Sequence, residues 1–185
     1  NVINNKLNDA FRNRIVFIKS GRNRYHVSPY TLIELYNDYK ENEGELYEKL
    51  IDSNTIAGYY NVFIIKTTPN TDGNTTLLGF TPVVLKYYYQ YKAYTPEYDN
   101  TVVSYQNTFD FEIASTVIHE TGHWLSLLHT FEMSPDDLNR IGLVDSYQIC
   151  INYMNYNHFI TAFTTEQINI MVTFAKDHRD YLLLE

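Results

Sequence analysis

A single cysteine, Cys150, in a chain of 185 residues rules out an internal disulfide, so the fold must rest on packing and hydrogen bonds. It does not decide the compartment, because secreted proteins without disulfides are common. Glycine and proline are scarce, at 7 and 5 residues, and neither they nor serine cluster into a linker. No internal repeat is present. Basic side chains are in the minority: 14 Lys plus Arg against 22 Asp plus Glu leave a net charge of −8 at pH 7. Such a field repels phosphate backbones and anionic lipid, which makes nucleic acid and membrane surfaces poor partners. No apolar run approaches the ~18 residues of a spanning helix, so membrane insertion is not expected. With 44% apolar and 19% charged residues, the chain is neither a disordered segment nor a coiled coil. The length suits one domain, or one domain cut by a cleft, with a sizeable core.

Tyrosine is abundant instead, with 18 residues, many of them in LKYYYQYKAYTPEY (85–98). Such rings often cover half-buried surface, so they do not by themselves call for a binding role. Helical and strand patterns alternate through the first half. Asn4 to Asn13 sets Leu7, Ala10 and Phe11 at helical spacing, and Ile15 to Lys19 reads as a strand. Ser28-Pro29 is an N-cap with proline in the first turn, opening a helix to about Lys40. More helix is expected from Glu45 to Ile51. Gly58 to Thr67 is the strongest strand, Thr76 to Phe80 a short one after the loop at 69–74, and Thr101 to Gln106 another. A helix then starts near Phe111. After His129 the regular pattern lapses for about 30 residues, until Thr164/Thr165 with Glu166 and Gln167 cap a last helix reaching about Asp177. The alternation predicts an α/β (α+β) fold with one mixed sheet.

The chemistry is concentrated in HETGHWLSLLH, residues 119–129. On a helix, His119 and His123 lie about 40° apart on one face and ~6 Å apart along the axis, so both imidazoles reach one ion. Glu120 lies one step round, beside that ion without having to ligate it. Two neutral imidazoles with a neighbouring carboxylate as proton acceptor make the zinc-protease arrangement. An unbroken helix would carry His129 about 600° round and ~9 Å beyond His123. It reaches the same metal only if the helix ends after His123 and the chain bends back, the long metzincin pattern. By chance a chain of this composition contains HExxH about 0.01 times, and with the third His about 4 times in 10,000. The plain alternative, a helix carrying solvated or core histidines, is thereby far less economical. His26, His158 and His178 are expected as surface or core residues.

HETGHWLSLLHTF, followed by CINYMNY (150–156) and FTTEQINIM (163–171), resembles the pappalysin family of metzincins. LNDAF, GYYNVFIIKT and LLGFTP before VVSY stand in the family's order, so the resemblance spans most of the chain and is closest over the last 75 residues. It implies a single catalytic domain over 1–185, with an upper lobe (1–129) of a twisted mixed sheet and two long helices. A smaller, irregular lower lobe (130–185) carries a terminal helix, with zinc at the floor of the cleft. Matched residue by residue, it makes His119, His123 and His129 ligands of one catalytic Zn²⁺ and Glu120 the general base. Met154 becomes the Met-turn residue beneath the metal, although alone it reads as ordinary core. Tyr156 falls where several metzincins hold a tyrosine near zinc, with ordinary packing as its alternative. Three departures are visible. Ser126 replaces the usual Gly at the bend, costing ~1–2 kcal/mol if left-handed. Cys150 has no partner for the family's lower-lobe disulfide. Val144-Asp145-Ser146 is a reduced form of the usual acidic text, so structural Ca²⁺ has no support there.

The resulting expectation is a zinc-dependent endopeptidase, a secreted enzyme that opens at Asn1 as a processed product. Its partner is a protein or peptide, lying along an edge strand at Leu77, Leu78, Gly79 and Phe80 and adding to the sheet. The segment after Met154, with Phe159, Ile160 and Phe163 and no carboxylate before Glu166, predicts a preference for an apolar or aromatic residue just after the cut, because an unpaired buried charge is costly. Glu166 or Asp145 folding into that pocket would reverse the preference. Two rivals stand beside this expectation. One is a catalytically weak, zinc-holding peptide-binding module, against which Glu120 speaks. The other is an HExxH hydrolase with an acidic third ligand, for which Asp136, Asp137 or Asp145 is available. Oligomeric state is not legible in the sequence.

Overall fold

The computed structural model describes residues 2–19, 31–41, 45–50, 54–66, 77–82, 99–105, 110–156 and 162–183. Three strands, β1 (Asn61–Lys66), β2 (Gly79–Phe80) and β3 (Asn100–Tyr105), form one mixed sheet in the order β1-β3-β2. β1 runs parallel to β3 and β2 antiparallel to it. The helices are α1 (Val2–Ala10), α2 (Leu32–Glu41), α3 (Glu45–Leu50), α4 (Asp110–Trp124), α5 (Pro135–Arg140), α6 (Ser146–Cys150) and α7 (Thr165–His178). The described chain is thus a mixed α+β structure with a small sheet.

β3 sits in the middle because it is buried on both faces, from Asn100 to Ser104 without a break. Its alternating side chains feed two cores. Val103 joins the larger one, built from Leu7 and Phe11, the apolar face of α4, Leu125, Leu127, Met154, Phe163 and the inner face of α7. Val102, on the opposite face, packs with Leu32, Leu35, Tyr47, Ile65 and Phe80. A buried ion pair closes the end of the fold: Arg179 Nε lies 3.1 Å from Asp99 Oδ1, with 1% and 2% of the side chains exposed. Asp99 Oδ1 also accepts from Trp124 Nε1 at 3.0 Å, tying the C-terminal segment to the end of α4.

Several elements depart from the sequence reading. Ile15 to Lys19 is not a strand. Phe17 is fastened instead by the Asn8 side chain, which accepts from Phe17 N at 2.7 Å and donates to its carbonyl at 3.3 Å. The period-two pattern is real: Phe17 packs on Phe11 and Tyr60 while Val16 and Ile18 face outward. Among the described residues, however, no strand pairs with it. The cap expected at Ser28-Pro29 lies outside the described residues; α2 starts at Leu32, where Thr31 and Glu34 exchange hydrogen bonds in a capping box. β1 is shorter than expected because Gly58, at φ +78°, turns the chain before it. The 69–74 loop also lies outside the described residues. Of the two long helices expected in 1–129, α4 has 15 residues and α2 only 10. The stretch after His129 is less irregular than expected. Ser134 caps α5, accepting from Asp137 N, and Asp145 caps α6, accepting from Gln148 N. α7 begins as anticipated, with Thr164 and Gln167 in a reciprocal capping box.

Candidate metal centre

α4 crosses the sheet against β3 and β2 and buries Ile113, Val117 and Ile118 beneath it. Its far end carries His119, Glu120 and His123, only 7%, 5% and 5% exposed. The helix then stops abruptly. Ser126 N donates to His123 O at 2.9 Å, and Leu127 N donates to Gly122 O at 2.9 Å. With Ser126 at φ +76°, this is a Schellman termination in which serine takes the left-handed position that usually falls to glycine. The reversal is what turns His129 back toward His123, as the spacing required.

The three imidazoles meet through Nε2. The separations are 3.1 Å for His119–His123, 3.0 Å for His123–His129 and 3.3 Å for His119–His129. Each Nδ1 faces an acceptor: the Tyr153 carbonyl at 2.5 Å from His119, the Leu127 carbonyl at 2.8 Å from His123, and Glu132 Oε2 at 3.1 Å from His129. A carbonyl or carboxylate only accepts, so the proton of each neutral ring sits on Nδ1 and three Nε2 lone pairs converge. Three lone pairs at such distances repel one another unless a cation lies between them. A tetrahedral zinc at about 2.0–2.1 Å from each nitrogen would set them about 3.3–3.4 Å apart, close to what is seen. Burial pushes His119 down to about 4 and His123 well below its usual value, and it lowers His129 as well. All three rings are therefore neutral at pH 7, the form that ligates. Among the described residues, this is the one group of three such side chains placed to hold a metal ion.

Glu120 lies beside the trio and outside it. Burial raises its carboxyl to about 8, opposed by a hydrogen bond from Thr81. Met154 is fully buried and lies directly under the helix: a Cβ on Gly122 would stand 2.5 Å from its sulfur. Its main chain is pinned, with Thr130 N donating to Met154 O at 2.9 Å and Met154 N donating to Asn152 Oδ1 at 3.0 Å. The same turn offers the Tyr153 carbonyl to His119. Tyr156, 67% exposed, has its ring 4.8 Å from that of His129 and 5.7 Å from that of His119. Partial burial and the nearby Glu120 and Glu132 raise Tyr156 to about 12, so it stays protonated as a donor. Phe131 stacks on His129 at 4.7 Å and completes an aromatic rim.

Other expected site residues lie elsewhere. Phe163 is 1% exposed and packs against Phe11 and Tyr153 in the main core; it does not wall a pocket, because its ring fills the space under Gly122. Phe159 and Ile160 lie outside the described residues. Phe80 offers only its main chain to the sheet edge, since its ring is 4% exposed among Tyr36, Tyr39 and Tyr47. Leu78 is outward-facing, and its carbonyl accepts from Ser104 N at 2.8 Å. Asp137 and Asp145 are engaged at helix starts, and neither they nor Asp136 joins the trio. Glu166 leans toward Gly142.

Sequence reasoning missed Glu132, Thr81 and the role of Gly122. Glu132 stands three residues after His129, within reach by spacing alone. A glycine inside a helical motif is itself a sign of close packing. Thr81 carried no local signal. Compared with known proteins, the chain matches no family model and no curated protein sequence.

Proposed function

We propose that the chain is a metal-dependent endopeptidase of the metzincin class, of pappalysin type, with Zn²⁺ as its ion. The observation that carries the reading is the convergence of three lone pairs on neutral, Nδ1-anchored imidazoles, with one buried carboxylate beside them. Zinc bound there supplies Lewis acidity toward a carbonyl and toward water. Glu120 accepts a proton from the attacking water and returns it to the departing amine. Its poor solvation makes it a stronger base than an exposed carboxylate. The Tyr156 hydroxyl donates to the oxygen that gains negative charge as the carbonyl carbon becomes tetrahedral. Among the described residues β2 is the outermost strand on its side of the sheet, and its main chain from Leu77 to Phe80 pairs with an extended peptide.

The test is cleavage of a mixed peptide library with and without a chelator, followed by zinc restoration. Cleavage should vanish with the chelator and return with zinc. Glu120→Ala should retain zinc and lose about 100-fold or more in kcat. Zinc uptake without any cleavage would leave a zinc-holding peptide-binding module instead, and near-normal kcat in Glu120→Ala would remove that residue from the mechanism.

A further inference from the structure

Glu120 is gripped from another element. Thr81 Oγ1, just past β2, is 2.9 Å from Glu120 Oε2 and 3.0 Å from its main-chain oxygen. Thr101 Oγ1, on β3, is 2.8 Å from Thr81 Oγ1. Tyr60 donates to Thr101 Oγ1 at 2.8 Å, and its oxygen is 3.0 Å from Thr121 Oγ1, back on α4. Each hydroxyl owns one proton. Because Tyr60 donates to Thr101, the Thr101 proton goes to Thr81, and the Thr81 proton goes to Glu120. In the ionised form, the one that can act as a base, the Glu120 carboxylate is a stronger acceptor than the main-chain oxygen beside it. Thr81, Thr101 and Thr121 are 3%, 0% and 0% exposed, so water does not compete for these bonds. Gly79 allows the approach: a Cβ there would meet Glu120 Cγ, Thr116 Cγ2 and the Val102 carbonyl, each at 3.0 Å.

We infer that Thr81 is a positioning residue: backed by Thr101 and Tyr60, it holds the Glu120 carboxylate away from the three histidine nitrogens, so that Glu120 serves as a base and not as a fourth ligand. The inference rests on the role given to Glu120 above. It also ties the base to the strand proposed to bind the peptide, through a side chain one residue beyond that strand.

Cobalt(II) alone is the probe, because its visible bands report the ligand set whether or not peptide is cleaved. Thr81→Val keeps the shape and removes the donor. The freed carboxylate should then reach the ion and shift the bands, whereas Thr81→Ser should match the parent chain. In a Glu120→Ala background, adding Thr81→Val should change nothing. In turnover, Thr81→Val should lower kcat about 10–100-fold with KM within about 2-fold, and Thr81→Ser should rescue it. Identical bands in the parent and Thr81→Val overturn the inference whatever turnover does, as does a shift that persists without Glu120. Should Thr81→Val fail to fold, Thr101→Val, which removes the donor behind Thr81, should give a smaller shift of the same kind. A Thr81→Val shift in the cobalt bands, with a parent chain that cleaves no peptide, would sink the protease reading and leave the placement of Thr81 standing.

Discussion

Gly122→Ala puts the packing of the centre under direct strain. The new methyl would lie 2.5 Å from Met154 Sδ and 3.4 Å from two atoms of the Phe163 ring. Carbon and sulfur normally rest about 3.5–4.0 Å apart, so something must yield by more than ~1 Å. Alanine in a helix interior returns ~1 kcal/mol over glycine, while overpacking costs ~1–3 kcal/mol. Methionine is the most pliant core side chain, so the lower half of that range applies and the net loss is about 0–1 kcal/mol. For a chain of this length that moves Tm by no more than ~2–4 °C. The larger effect should fall on the metal. Met154 adjoins Tyr153, whose carbonyl orients His119, and disturbing such outer partners typically costs about 10–100-fold in affinity. Zinc affinity, measured by competition with a chromophoric chelator, should fall by that factor while the chelated protein melts almost normally. Met154→Ala alone should cost ~2–5 kcal/mol through the cavity it leaves. Combined with Gly122→Ala, it should cost less than the sum, because the added methyl occupies part of the void. A Gly122→Ala protein about 1 kcal/mol more stable than the parent, with unchanged zinc affinity, would refute the reasoning.

His129→Ala should weaken zinc binding sharply, whereas Asp145→Ala should leave it intact and cost only ~1 kcal/mol for the lost α6 cap; equal metal content in all three proteins would defeat the three-histidine centre. Ser126→Gly should raise stability by ~1 kcal/mol, since the chain already uses Gly142, at φ +75°, for the same kind of helix ending; a lower Tm would refute it. Asp99→Asn should cost ~3–5 kcal/mol in urea unfolding, because it strands the Arg179 charge at 1% exposure; a loss under ~1 kcal/mol would show that the pair is expendable.

What the sequence alone determined is local. Helical periodicity placed His119 and His123 on one face with Glu120 one step round, and the spacing to His129 demanded a helix ending at the place where Ser126 reverses the chain. Thr164 and Gln167 announced the start of α7, because a capping box needs only residues three positions apart. The same logic was available at Thr31/Glu34 and at Ser134 and Asp145, where nearer or broader patterns masked it. Tertiary structure decided what distant segments do to one another. Alternation at Ile15 to Lys19 described which side chains face inward, yet a strand needs a partner, and the Asn8 amide took that place. Phe163 read as a pocket wall, and only the gap under Gly122, shared with Met154, assigned it to the core. The Tyr153 carbonyl on His119 and the Thr81 hydroxyl on Glu120 bridge 34 and 39 positions. Neither contact leaves a period or a motif in the sequence, because both exist only once the sheet, α4 and the turn at Met154 have packed together.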